Sequence, residues 1–166
     1  TIKASGDVKI TDNFQKIILT SENLEYSKNK KIFEANKNVE LNDINRDLFI
    51  NAEKILYFSE NQKIIADSNV SLINNKKNIS LNAEKITYIK KLNKFFTSGI
   101  TKADIYSKYK FISKNVNYEG NIDELSSVSK TKISSKFSTY ELDEFNFQIK
   151  KEYLKGKNIL VFNNEE

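Results

Sequence analysis

The feature that most constrains this chain is a repeat with a period of about 31 residues. Four segments that share one pattern end on a tyrosine, at Tyr26, Tyr57, Tyr88 and Tyr118, and successive tyrosines are 31, 31 and 30 residues apart. A period of this length is typical of repeat architectures, in which each unit buries its apolar face only against its neighbours. The repeat therefore predicts a stacked array rather than a compact sphere.

A second series of recurring residues has the same period of 31 residues. Val8, Val39 and Val70 lie 31 residues apart, each in a segment where apolar and polar residues alternate. Alternation with a period of two is typical of β-strands, and we find no long segment with the 3.6-residue period of a helix. The alternation changes phase at residues 53–54 and again at residues 84–85, which predicts a bulge or bend within each strand run.

The sequence therefore predicts an all-β fold, a repetitive, bent antiparallel β-jellyroll or half-pipe that forms a single domain over residues 1–166. The repeats are clear over residues 5–120, and we interpret residues 121–166 as atypical capping or linker units. Polar clusters rich in Asn, Asp, Ser and Lys separate the apolar runs and predict tight turns. Stacked units of this kind give two facing sheets with an apolar interior.

Carboxylates are plentiful, but two other residue types that often carry catalysis are absent. The chain has no His and no Cys, which removes the commonest general base, thiol chemistry and most zinc sites. Its four glycines are scattered, so there is no phosphate-binding loop. Glu53 and Glu84 recur at one phase of the repeat, but a copied position favours a structural role, because an active site is normally single. We predict no enzymatic activity, no metal and no cofactor.

The positive charge does not point to nucleic acid. The net charge is +5, and Arg46 is the only arginine among 27 cationic residues. Surfaces that read phosphates in nucleic acids favour arginine for two-pronged hydrogen bonding. Scattered lysines are more typical of solvated strand faces, so we predict no nucleic-acid partner.

The inward-facing residues form the candidate binding surface. They can line a lumen for acyl chains or fill a dry core, and both roles demand the same alternation. Burial of one CH₂ group is worth about 0.8 kcal/mol, so a lumen of this kind would hold acyl chains without specific contacts. The predicted lining residues are Val39, Leu41, Leu48, Ile50, Ile55, Tyr57, Ile64, Val70, Leu72, Ile79, Leu81, Ile86, Tyr88, Phe95, Val116 and Tyr118. We expect the tyrosines to form a packed ladder with hydroxyls at the edge of the core.

Two kinds of segment resemble the repeating units of the OstA family, the periplasmic lipopolysaccharide-transport proteins. Residues 52–57 (AEKILY) and 83–88 (AEKITY) resemble that family's "A-x-x-(apolar)-x-Y" units. Residues 33–41 (FEANKNVEL) and 65–72 (IADSNVSL) resemble its "A-x-G-N-V-x-(apolar)" segments.

The resemblance has one departure. Lys37 and Ser68 stand where the family often has glycine, whereas Gly6 and Gly99 retain it. The departure concerns the local turn geometry and leaves the expected fold unchanged.

The resemblance implies a lipopolysaccharide-binding module in the periplasm, associated with the outer membrane, that passes lipopolysaccharide along an apolar groove open on one side. Within the family the chain is most like the periplasmic amino-terminal domain of LptD-like assembly proteins, which implies an outer-membrane barrel as partner if the chain is part of a longer protein. The alternatives are a free LptA-like bridge protein and, from another class, a β-solenoid scaffold or adhesin without lipid.

The resemblance also implies a protein partner. The first strand pair, around Val8 and Ile10, is expected to leave an unpaired edge. We expect a homologous β-jellyroll bridge protein to add its strands at that edge.

Overall fold

A computed structural model describes residues 1–164, which form one antiparallel sheet of 15 strands. The strands are β1 (Ile2–Asp12), β2 (Ile17–Ser27), β3 (Ile32–Asp43), β4 (Leu48–Phe58), β5 (Lys63–Asn74), β6 (Ile79–Ile89), β7 (Lys94–Ile105), β8 (Tyr109–Lys114), β9 (Asn117–Glu119), β10 (Glu124–Ser127), β11 (Thr131–Ser134), β12 (Ser138–Leu142), β13 (Glu144–Gln148), β14 (Tyr153–Lys157) and β15 (Leu160–Asn163). Two short 3₁₀-helices, Ile44–Arg46 and Lys90–Leu92, lie in turns. The prediction of an all-β fold is confirmed. Residues 165–166 of the predicted domain lie outside the described residues.

Each of the long strands β1 to β7 bends in the middle at an irregularity in its pairing. In β4 the register with β5 shifts between Asn51 and Lys54. The inward face changes phase at that point, so Ile50 before the bend and Ile55 after it are both fully buried. The predicted bends in β4 and β6 are confirmed, and the second lies between Ala83 and Lys85.

The bends fold the sheet into two layers. The first layer contains residues 8–12 of β1, 17–20 of β2, 39–43 of β3, 48–51 of β4, 70–74 of β5, 79–83 of β6 and 100–105 of β7, followed by β8, β11, β12 and β15. The second layer contains the other half of each long strand, followed by β9, β10, β13 and β14. We call the bent side, where the chain passes between the layers, the spine. The opposite side, where turns join successive strands within a layer, is the mouth.

The spine uses left-handed backbone conformations. Gly6 and Gly99 have φ values of +97° and +79° at two of the bends. Lys37 and Ser68 occupy the equivalent places in β3 and β5 with φ values of +66° and +67°. The two positions that depart from the family pattern therefore keep the bend, although their side chains make this conformation costlier than it is for glycine.

The core is continuous along the whole sheet. It runs from Ile17 in β2 to Ile149 after β13 and is built from the inward faces of both layers. None of the helical segments within residues 1–164 has the length and hydrophobicity of a membrane-spanning helix.

Candidate functional site

All sixteen predicted lining residues face the interior between the two layers. Their exposed fractions lie between 0 and 3%. A slot that is open to solvent and wide enough for an acyl chain would expose these side chains to water. The interior is therefore closed in this structure, with the apolar faces of the two layers packed on each other.

Three of the surface cavities touch the predicted lining, two at the spine and a third, of about 210 Å³, beside Ile79 and Asn75 at the mouth. A cavity of about 410 Å³ is bordered by Val39 and otherwise by mostly polar residues such as Asn38 and Asn69. A second, of about 330 Å³, is bordered by Val70 beside Asn82. Polar residues make up more than half of each wall, which is unsuited to acyl chains, so none of the three cavities replaces the interior as the candidate site.

The mouth is bridged by side-chain contacts between the two layers, which we call the mouth contacts. In the first, the Tyr57 hydroxyl of β4 donates to Asp12 Oδ2 at the end of β1, at 2.9 Å. In the second, the Tyr88 hydroxyl of β6 donates to Asp43 Oδ2 at the end of β3, at 3.0 Å. Each pair is separated by 45 residues, and the two pairs are one repeat of 31 residues apart.

The second mouth contact is also a buried cluster of charges. Lys90 Nζ donates to Asp43 Oδ1 at 2.6 Å, and Arg46 Nη1 lies 3.3 Å from Asp43 Oδ2. Asp43 is fully buried and Lys90 is 4% exposed. Asp43 thus joins a tyrosine, a lysine and an arginine, and it belongs to the first layer while Tyr88 and Lys90 belong to the second.

The third contact departs from the Tyr–Asp pattern because the next residue in the aspartate series is Asn74. Here the Tyr118 hydroxyl donates to Asp123 Oδ1 within the second layer, at 3.0 Å. Lys77 Nζ, in the turn after β5 of the first layer, reaches the same oxygen at 3.1 Å. Asp123 is 4% exposed, so this ion pair also lies inside the mouth.

The fourth contact lies at the last hairpins. Glu152, in the turn between β13 and β14 of the second layer, accepts hydrogen bonds from Lys108 and from the Tyr109 hydroxyl of the first layer. The Tyr109 bond measures 2.8 Å. The hydrogen bond from Lys108, followed by that from Tyr109, lowers the pKa of Glu152.

The buried tyrosines of the mouth contacts are held in the neutral form. Burial raises the pKa of Tyr57, and the hydrogen bond to Asp12 and the negative charge of Asp12 raise it further. Burial likewise raises the pKa of Tyr88, with the charge of Asp43 next. The pKa of Tyr118 is raised in the same way, by burial and then by the charge of Asp123. The three hydroxyls therefore remain hydrogen-bond donors at neutral pH.

The expected tyrosine ladder is present for Tyr57, Tyr88 and Tyr118, whereas Tyr26 is only half-buried. Sequence reasoning missed the acidic partners of these tyrosines. Tyr57, Tyr88 and Tyr118 are 1 to 3% exposed, with their hydroxyls at the mouth. A signal for the partners was available, because Asp12 and Asp43 are themselves 31 residues apart.

The predicted partner edge is an edge of the sheet. Within the described residues β1 pairs only with β2, and Ile2 is 64% exposed. Val8 and Ile10 are half-buried and pack against the core. At the other end β14 and β15 each pair with a single strand, and Leu160 of β15 is largely exposed. Both ends of the array therefore present unpaired backbone.

The two recurring glutamates lie at the surface of the spine. Glu53 and Glu84 are exposed at the bends of β4 and β6. Among residues 1–164, no group of three or more acidic side chains is placed to hold a metal ion.

The fold and the site together define a bent, two-layer β-sheet protein whose apolar interior has continuous backbone on one side only. No protein-family model matches the chain, and no curated protein matches it. Among solved structures, it is similar to LptH of Pseudomonas aeruginosa, described as the LptA homologous periplasmic component of the conserved lipopolysaccharide transport device. The two are 8% identical, the match covers 94% of this chain and 100% of that chain, and the TM-score is 0.38.

Proposed function

We propose that this chain is a periplasmic lipopolysaccharide-binding module in which acyl chains lie between the two layers. The observation that carries the proposal is the asymmetry of the interior. At the spine the layers are joined by covalent chain at every bend, whereas at the mouth only side-chain contacts join them. An apolar interior built in this way can admit a long hydrocarbon from the mouth without breaking the strand pairing of either layer.

The energetics favour an amphipathic guest. Acyl chains that enter the interior replace the apolar contacts that the separated layers lose, at about 0.8 kcal/mol per buried CH₂. The turns at the mouth carry exposed lysines, among them Lys28, Lys30, Lys76 and Lys91. These cations lie where the phosphates of a lipopolysaccharide headgroup would remain in water, so they favour an anionic headgroup over a neutral one.

The position of the module in a transport machine belongs to the same proposal. Its OstA-like repeats support a role either as the amino-terminal domain of an LptD-like assembly protein at the outer membrane or as a free LptA-like bridge. A gene that continues into amphipathic strands of about ten residues each would support the first role. In both roles a homologous jellyroll would add strands to the edge at β1, where Val8 and Ile10 are half-buried. No catalytic step is proposed.

One observation favours a different function. The sixteen inward residues are buried to 97% or more without a lipid, as they would be in a β-solenoid scaffold or adhesin that never opens. Such a protein would use the outer faces and edges of its sheet, and its interior would serve stability alone.

Native mass spectrometry separates the two functions. The protein is expressed in the periplasm of a lipopolysaccharide-producing host, purified in mild detergent and measured without denaturation. We expect a population whose mass exceeds that of the chain by one lipopolysaccharide molecule. As a control, protein refolded without lipid should regain the added mass after incubation with purified lipopolysaccharide. A spectrum with the bare chain alone in both samples would contradict the proposal and favour the scaffold.

A further inference from the structure

We propose that the mouth contacts form a gate, and that the two layers separate at the mouth, about the spine, to admit acyl chains from the side. The inference rests on the proposed function and specifies how lipid reaches a closed interior. It starts from the placement of the contacts, since each joins a residue of the first layer to a residue of the second, directly or through Asp123.

The mouth is the side that opens at the lower cost. At the spine, separation would have to break covalent chain at each bend. At the mouth it breaks hydrogen bonds and ion pairs, such as Lys90–Asp43 and Lys77–Asp123. Ions that part there regain water, and the attraction within a buried ion pair does little more than offset the cost of removing both ions from water. Charged contacts therefore keep the mouth shut without making it hard to open.

The contacts recur along the mouth rather than at one point. Tyr57–Asp12 and Tyr88–Asp43 are one repeat apart, and Lys77 and Lys108 are also 31 residues apart. A periodic row lets the layers part locally, one repeat at a time. Local parting suits a guest that moves along the array, because only the repeats around the guest are open at any moment.

The strand offset of the contacts makes the gate oblique. Asp12 in β1 meets Tyr57 in β4, and Asp43 in β3 meets Tyr88 in β6. Each contact thus spans three strand positions, because the twisted layers cross at an angle. Separation of one contact therefore opens the interior beneath several neighbouring strands.

The test locks the mouth with a covalent bridge. The chain has no Cys, so Lys77→Cys with Asp123→Cys can be joined selectively by a short bis-maleimide. A second pair, Lys108→Cys with Glu152→Cys, uses more exposed side chains and carries less risk to folding.

The control pair, Glu22→Cys with Asn38→Cys, lies at the spine, where the native side chains are 2.6 Å apart. We expect each bridged mouth pair to bind purified lipopolysaccharide at least about tenfold more weakly than its unbridged form. The bridged spine pair should bind as before.

A measurement without lipid tests the opening of the mouth independently of lipopolysaccharide binding. Spin labels at Lys76 and Lys91, on turns of opposite layers, report the width of the mouth as a distance distribution. Tyr88→Phe removes one donor but keeps the ring, and it should raise the wide population about fivefold, the effect of one net hydrogen bond. Full binding by both bridged mouth pairs would overturn the gate and leave the proposed function intact. If no form binds lipopolysaccharide, the proposed function fails. Independently of binding, a mouth of unchanged width in Tyr88→Phe would overturn the gate.

Discussion

Replacement of Asp43 with alanine should lower the free energy of unfolding by about 3–5 kcal/mol, because it leaves the buried Lys90 ammonium without its counter-ion. Lys90 is 4% exposed and lies 2.6 Å from Asp43. The substitution also removes the acceptor of the Tyr88 hydroxyl and the partner of Arg46. Urea unfolding of Asp43→Ala beside the wild-type protein measures the loss.

Two controls separate charge from packing. The double variant Asp43→Leu with Lys90→Met removes both buried charges and should recover most of the lost stability, since apolar residues of similar volume often replace a buried ion pair without loss. Glu60→Gln removes half of the solvent-exposed pair with Lys31 and should leave stability almost unchanged. A loss below about 1 kcal/mol in Asp43→Ala would show that the cluster does not hold the two layers together.

The second large effect is a loss of stability at alkaline pH. Burial raises the pKa of Tyr57, Tyr88 and Tyr118 above their ordinary value in the folded state. Their stabilising contribution is complete below about pH 10, where the unfolded chain also keeps its tyrosines protonated. Above that pH the unfolded tyrosines ionise while the folded ones do not. Stability should therefore fall by about 1.4 kcal/mol per pH unit for each tyrosine, or about 4 kcal/mol per unit for all three.

Urea unfolding at a series of pH values from 8 to 12 measures this dependence. The triple variant Tyr57→Phe, Tyr88→Phe, Tyr118→Phe retains every lysine, so it subtracts the effect of lysine deprotonation in the same range. We expect the steep fall above about pH 10 in the wild-type protein and a much shallower one in the variant. Equal slopes would contradict the assignment of these hydroxyls to the closed mouth.

The fold could be predicted from sequence periodicity because each bend changes the alternation of neighbouring residues in the chain. A change of phase between Ala52 and Ile55 can be read from consecutive residues, and the structure places a register shift there. The period of the tyrosines likewise placed one aromatic ring per repeat on the inner face. After β7 the halves of each bent strand become the separate short strands β8 to β15, which is where the sequence pattern blurs.

The 31-residue spacing of Asp12 and Asp43 is visible in the sequence, but their pairing with the tyrosines could not be predicted, because it depends on how the two layers cross. Tyr57 and Asp12 are 45 residues apart and belong to strands three positions apart. The alternation of apolar residues fixes which way a side chain points, but it fixes neither the twist nor the distance between layers. For the same reason the alternation of apolar residues could not distinguish a lipid-filled slot from a dry core. The 0 to 3% exposure of the lining residues shows that the interior is closed in this structure.

The central claim is that acyl chains occupy the space between the layers, and site-directed photo-crosslinking in a lipopolysaccharide-producing host tests it most directly. A small diazirine-bearing aliphatic residue is placed at Ile55, Ile86 or Val116, which face inward, and at Glu40 or Ser71, which face outward. We predict lipopolysaccharide adducts at the three inward positions and none at the outward pair. Adducts confined to Glu40 and Ser71, or none anywhere in correctly folded protein, would contradict the account.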